Sequence, residues 1–232
     1  MTETPKVPTG VLERGLLLLS CFTQAEPRLR LRELSAKTGL DKATTLRALK
    51  TLVAWSFLEK GQDGSYSPGP VNLRLAEIFK TTSNFINRLE VPIVSISKRV
   101  GQTTSFFVRS NEERICLVRD NAYRDYRRFI AVGASVALSE GGSAAQILLA
   151  YTEPDSPEYE RIRRDGYYIS HGDRNKQFLS IAVPLFESDG SFLGAVSVTG
   201  MKTDLDEPTL IKFSKVIAEE VKTAGFRSEH PE

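Results

Sequence analysis

The chain has little of what marks a secreted, membrane-spanning or metal-binding protein. Its 232 residues include only two cysteines and two histidines. Cys21 and Cys116 stand in apolar stretches and form neither a disulfide framework nor a metal-ligand spacing, so buried free thiols are expected. His171 and His230 have no ligand residues near them in sequence, and neither a metal nor a cofactor is expected. No apolar run approaches the ~20 residues of a membrane span. The first ten residues lack the apolar core of a signal peptide, which leads to an expected cytoplasmic location. Also missing is a Gly-x-Ser-x-Gly elbow around Ser143, so an enzyme using Ser143 as nucleophile and His171 as base is the weaker alternative.

What is present fits two folded units. With 41% hydrophobic and 26% charged residues, the chain can bury a sizeable core and split once. Charge is unevenly spread: residues 1–83 carry 12 lysines and arginines against 8 acidic residues, and residues 84–232 carry 19 against 21. A nucleic-acid partner therefore belongs at the N-terminal end.

That end contains Leu31 to Lys60, two short amphipathic helical patterns joined at Gly39. Leu31, Leu34 and Ala36 give the first an apolar face, and Gly39 can adopt the positive φ that stops a helix. Asp41 stands where a side-chain cap is expected, so a second helix should begin at Lys42. On a helical wheel Leu46, Leu49, Leu52 and Val53 gather on one side, and Ala43, Thr44, Arg47, Ala48 and Thr51 on the other. The second face is small and polar with one long cation: threonine and alanine can approach thymine methyls, and Arg47 can reach a guanine edge or a phosphate. Phe57 to Lys60, a turn at Gly61 to Gly64, and Ser65 to Ser67 then read as a hairpin. A turn-linked helix pair followed by such a wing predicts a winged helix-turn-helix, with Lys60 and Tyr66 toward phosphates. The candidate DNA contacts are Arg14, Arg30, Lys42, Ala43, Thr44, Thr45, Arg47, Ala48, Lys50, Thr51, Lys60 and Tyr66.

Glu13-Arg14-Gly15-Leu16, Gly39 to Thr44 and Tyr66-Ser67-Pro68-Gly69 together resemble the IclR family of bacterial transcriptional regulators. The likeness continues through Leu148-Leu149-Ala150, Asp165-Gly166-Tyr167, Ser180 to Pro184 and Gly194 to Gly200. Two departures stand out. Ser56 occupies a position where the family has glycine at the end of the recognition helix, a change that local geometry can absorb. Ala134 to Gln146 lacks the family's His and Gly-Lys, which bears on the ligand rather than the fold.

Pro70 to Thr82 reads as a linker helix opened by proline. Val71, Leu73, Leu75, Ala76, Ile78 and Phe79 exceed one buried stripe, so this helix wants cover on several sides. The resemblance implies packing against a second copy near Val11, Leu12, Leu16 and Leu19, giving a homodimer on a palindromic operator and leaving open whether two dimers pair.

From Asn84 onward, Phe85, Leu89, Ile93, Ile96 and Val100 recur at helical spacing, with Pro92 expected to kink or divide the helix. Strands are predicted at Thr103 to Arg109, Ile115 to Arg119 and Arg128 to Val132, and a helix over Ala144 to Ala150. The charged stretch Arg119 to Arg128 reads as a solvated hairpin tip. Leu179 to Phe186 and Phe192 to Thr199 flank an Asp-Gly turn, and a last helix from Glu207 to Thr223 is capped by Asp206. Alternating helices and antiparallel strands predict an α+β domain, which the resemblance specifies as a GAF-like sensor. The expected organisation is therefore residues 1–69 as the winged helix-turn-helix, 70–83 as the linker helix and 84–232 as the effector domain.

The resemblance implies effector contacts at Gly142, Ser143, Ser170, Phe178, Ser180, Ser197 and Thr199. Ser197 and Thr199 are two apart on a strand and share a face, and a helix start near Ser143 offers amides to an anion. A small organic acid or carbonyl compound is the expected effector. Of Phe106 and Phe107, alternation allows one to line a cavity, and core packing is the simpler role for both. The overall expectation is a repressor of a catabolic operon, with an activator of the same family, or a C-terminal domain that only oligomerises, as alternatives.

Overall fold

The protein is described by a computed structural model over residues 10–121 and 130–229. Two compact units divide the chain, Met1–Thr82 and Ser83–Glu232.

In the first unit α1 (Val11–Ser20) is followed by β1 (Leu29–Arg30), α2 (Leu31–Thr38), α3 (Lys42–Ala54), β2 (Leu58–Lys60), β3 (Ser65–Pro68) and α4 (Pro70–Thr82). Gly39 ends α2 at φ 69°, its amide donating to the Ser35 carbonyl. Asp41 then caps α3: its Oδ1 accepts the Thr44 amide at 2.9 Å, and the same bond holds its carboxyl below the usual carboxylate range. Leu18, Leu34 and Leu49 from the helices and Leu40 from the turn between α2 and α3 meet Leu29, Leu58 and Tyr66 from the sheet in one core. That sheet has three strands in the order β1-β3-β2. The third, β1, pairs Leu29 with Tyr66; at two residues it is too short to announce itself by alternation.

The second unit opens with α5 (Asn84–Val100), followed by β4 (Thr103–Ser110), β5 (Glu113–Asp120), β6 (Ser135–Ala137), α6 (Ser143–Thr152), α7 (Glu160–Asp165), β7 (Tyr168–Ser170), β8 (Phe178–Phe186), β9 (Phe192–Met201) and α8 (Glu207–Thr223). The strands form one antiparallel sheet in the order β6-β5-β4-β9-β8-β7. On one face Leu89, Ile93 and Ile96 of α5 and Leu210, Ile217 and Val221 of α8 pack against Phe106, Ile181, Val196 and Val198. On the other, Ala144, Ile147 and Leu148 of α6 cover Phe107, Cys116, Ala182 and Ala195. Alternation along each strand divides the residues between the two cores.

Three expectations change here. Pro92 does not divide α5: it lies on the buried face between Leu89 and Ile93, where apolar burial outweighs the one backbone bond proline forfeits. The predicted strand from Arg128 is displaced. Arg128 and Phe129 lie outside the described residues, and Ile130 to Val132 are not a strand. A turn intervenes instead, with the Gly133 amide donating to the Cys116 carbonyl and Ala134 to Ala131, so that pairing with β5 begins only at Ser135 opposite Ile115. The short elements α7 and β7 also go beyond the predicted set. Most of the charged tip, residues 122–128, lies outside the described residues, as does His230.

Candidate nucleic-acid interface and ligand cavity

Helix α3 presents Ala43, Arg47 and Thr51 to solvent, with Lys42 and Lys50 exposed beside them and Thr44 half-exposed. The Arg47 Nη2 donates to Thr44 Oγ1 at 3.3 Å, and the Thr51 hydroxyl donates back to the Arg47 carbonyl. This leaves most of Arg47's fork of donors pointing outward. Arg30 and Lys60 are exposed on the sheet and Arg14 is half-buried on α1.

Three of the candidate contacts are withdrawn from that surface. Thr45 is fully buried, and its hydroxyl donates to the Asp41 carbonyl at 2.9 Å. It lies four residues before Leu49, so the helical period places it on the inner stripe. Ala48 packs against the same core, and the Tyr66 ring is part of it. Lys60 instead lies 5.9 Å from that ring's centroid, so the tyrosine supports a cation rather than meeting phosphate itself.

In the second unit the sheet face beneath α6 forms a cavity of about 470 Å³. Strand register lays a row of hydroxyls along its floor. Thr103 of β4 stands opposite Thr199 of β9, Thr199 opposite Ser180 of β8, and Ser180 opposite Ser170 of β7. One step along, Ser105 faces Ser197. Ser143, the first residue of α6, closes over this row: its Oγ donates to Ser180 Oγ at 2.8 Å and lies 3.2 Å from Ser197 Oγ. Gly142 and Phe178 also line the cavity, which thereby brings together all seven residues implied by the resemblance. Phe107 lines it as well, whereas Phe106 is buried in the opposite core.

Arginines complete the lining, and the sequence reading did not single them out. Arg114 and Arg119 both reach the cavity although they are five apart on β5, an odd spacing that would place them on opposite faces of a regular strand. A β-bulge resolves this. Phe106 pairs with Val118 but Phe107 with Cys116, so Leu117 is the extra residue and the alternation resets across it. Arg119 donates to the Ile130 carbonyl and to Asn121. Arg174 forms an ion pair with Glu140 at 2.9 Å, and the Gly142 amide donates to Asp173. Arg114, only 3% exposed, leaves its Nη1 without a protein partner. Burial and the nearby Arg174, opposed by Glu140, pull its pKa down to about 10, so it stays charged at neutral pH. Cys116, between the two arginines, is a buried thiol pushed up to about 11 by desolvation. The one clue available from sequence was the charge of Arg114 at a position that strand alternation assigns to the same face as apolar Cys116.

Ser143 and His171 do not meet. His171 lines a separate cleft, with its Nε2 3.0 Å from Glu207, while Ser143 is held by two other serines.

Residues 11–62 match the IclR helix-turn-helix domain. The chain is 23% identical, over 92% of its length and 93% of the relative's, to the HTH-type transcriptional regulator KipR of Bacillus subtilis (strain 168). Along nearly its whole length the chain resembles IclR-family regulators, and its N-terminal unit matches that family's helix-turn-helix domain. The matched domain is a DNA-binding one, and the relatives it is found with are transcriptional regulators rather than enzymes. Across both units the fold is that of a putative IclR regulator from Silicibacter sp. TM1040, with a TM-score of 0.78 at 24% identity, covering 93% of each chain. An IclR homologue from Microbacterium hydrocarbonoxydans, solved in complex with 4-hydroxybenzoate, matches with a TM-score of 0.70 at 20% identity over 92% of this chain and all of that one. Among the described residues of the regulator, no helix is long and apolar enough to cross a membrane, and no cluster of histidine, cysteine and acidic side chains could hold a metal.

Proposed function

We propose that this regulator is a homodimeric repressor that binds a palindromic operator through α3 and is released when a small organic effector enters the cavity beneath α6. Ala43, Thr44, Arg47 and Thr51 read bases, while Lys42, Lys50, Lys60, Arg14 and Arg30 meet phosphates. The observation that carries the effector reading is the hydroxyl row on the cavity floor, closed by Ser143 at the start of α6. A volume of about 470 Å³ falls within the range of small-molecule sites, and the relative's complex with 4-hydroxybenzoate suggests the first compound to try. Effector release requires tighter binding to the DNA-incompetent state, and a typical coupling of about 1–3 kcal/mol changes operator affinity roughly 5- to 150-fold.

Sequencing the DNA retained by the purified protein supplies the operator. Operator titrations with and without 4-hydroxybenzoate and related organic acids then test the sensor in the wild type and in the double variant Ser197→Ala, Thr199→Val. Ligand-free operator affinity should stay near wild type, and the response to acid should fall, each lost hydroxyl contact being worth about 0.5–1.5 kcal/mol. A folded double variant with its full response would place the effector site elsewhere.

A further inference from the structure

Among the described residues lining the cavity, Arg114 is a buried cation with a donor still free, its guanidinium lying 5.9 Å from the Phe107 ring centroid. Its guanidinium is buried to 3% exposure, with Nη1 fully enclosed and unpartnered by protein. The other cationic groups lining the cavity are engaged: Arg174 with Glu140, and Arg119 with the Ile130 carbonyl and Asn121. Arg114 also stands at the start of α6, where a Cβ built on Gly142 would lie 3.6 Å from its Nη2. Gly142 offers no side chain to cap that helix, so the first amides of α6 and the arginine fork converge on one end of the cavity. Opposite them lie hydroxyls that can donate, and Phe107, Ile130 and Phe178 supply apolar walls.

A buried guanidinium left unpaired is costly, and a protein keeps one where a ligand completes it. We propose that Arg114 is the anion anchor of this cavity, its guanidinium pairing with an oxyanion of the effector while the apolar walls hold its organic body. This rests on the effector reading of the same cavity and adds its selection rule: a ligand bearing a carboxylate, or a phosphate of the same fork geometry, is admitted, and its neutral analogue is refused. The helix start contributes amides to the same group.

The test uses the full-length protein, measuring thermal melting and calorimetric titration with benzoate, 4-hydroxybenzoate, acetate and inorganic phosphate. The matched amides benzamide and 4-hydroxybenzamide are controls, all at equal ionic strength. At least one oxyanion should raise the wild-type melting temperature, and the amide matched to a stabilising acid should not. Arg114→Met should bind that oxyanion roughly 10- to 100-fold more weakly, and Arg114→Lys should recover part of the loss, because it restores the charge but not the fork. Stabilisation by phosphate and not by the carboxylates would assign the oxyanion to a phosphate ester and leave the anchor standing. An amide that binds as tightly as its acid, or a wild type moved by no oxyanion, overturns the inference without any variant having to fold. If Arg114→Met keeps full affinity while the Ser197→Ala, Thr199→Val variant loses it, the anchor falls and the cavity reading survives. If all variants keep it, both fall.

Discussion

Arg47 is fixed in place by its own helix. The Thr44 hydroxyl accepts one of its donors and Thr51 bonds its carbonyl, so the side chain loses less freedom on meeting DNA than an unrestrained arginine would. Replacing it with alanine should cost roughly 1–3 kcal/mol of operator binding and relax preference at one base position. Lys60, exposed beside the Tyr66 ring, should behave differently. Lys60→Ala should weaken operator and scrambled duplex alike and reduce the slope of log affinity against log salt by about one. Titration of both variants against both duplexes at several salt concentrations separates base reading from phosphate contact. Unchanged operator affinity in Arg47→Ala would move the reading face off α3. Thr45 shows how narrowly such a face is drawn, since a shift of one residue from Thr44 turns a side chain from solvent into the core.

Helix α3 ends in a Schellman motif. The Phe57 amide donates to the Leu52 carbonyl at 2.9 Å and the Ser56 amide to Val53 at 3.0 Å, which requires the residue between helix and wing to be left-handed. Ser56 takes that conformation at φ 59°, a place where a side chain is strained and glycine is not. Ser56→Gly should therefore stabilise the first unit by about 1 kcal/mol, read as a higher urea midpoint with an unchanged slope. A lower midpoint would mean that the serine side chain compensates for its backbone. On β5 the irregular element has the opposite use. The extra Leu117 interrupts one pairing step, and in exchange Arg114 and Arg119 face the same cavity.

Taken as a molecule, the regulator exposes apolar side chains on the two helices that border its reading unit. Val11, Leu12 and Leu16 of α1 are 83%, 76% and 57% exposed, and Leu73, Ile78 and Phe79 of α4 are 67%, 50% and 47% exposed. None of the residues of α4 is buried. Such a surface fits the proposed dimer, in which a second copy packed on the same helices would also supply the second α3 that a palindrome needs. Leu16→Glu combined with Ile78→Glu should convert a dimer to a monomer on sedimentation. The same pair should lower affinity for the full palindrome by on the order of 100-fold, while an isolated half-site is bound as before. A wild type that sediments as a monomer at micromolar concentration would remove the dimer from the proposal.

Local signals were written in the chain. The Gly39 stop, the Asp41 and Asp206 caps, the Asp189-Gly190 hairpin and the periodicity of α4 and α8 each act through residues within a few positions of one another, so sequence suffices to place them. The two-residue β1, the six-residue α7 and the displaced edge strand β6 are held by partners distant in sequence and gave no periodic signal of their own. The same division runs through the candidate sites. The outward face of α3 could be drawn from its helical period, but Ala48 left that face, and Tyr66 the surface of the wing, because the core has a volume to fill that no single helix reveals. In the cavity, Ser197 and Thr199 were legible as neighbours on one strand. Their alignment with Thr103, Ser180 and Ser170 depends on register across four strands, which only long-range pairing sets. The convergence of Arg114 and Arg119 depends on one bulged residue, Leu117, and a single unpaired position in a ladder leaves no mark on composition or period.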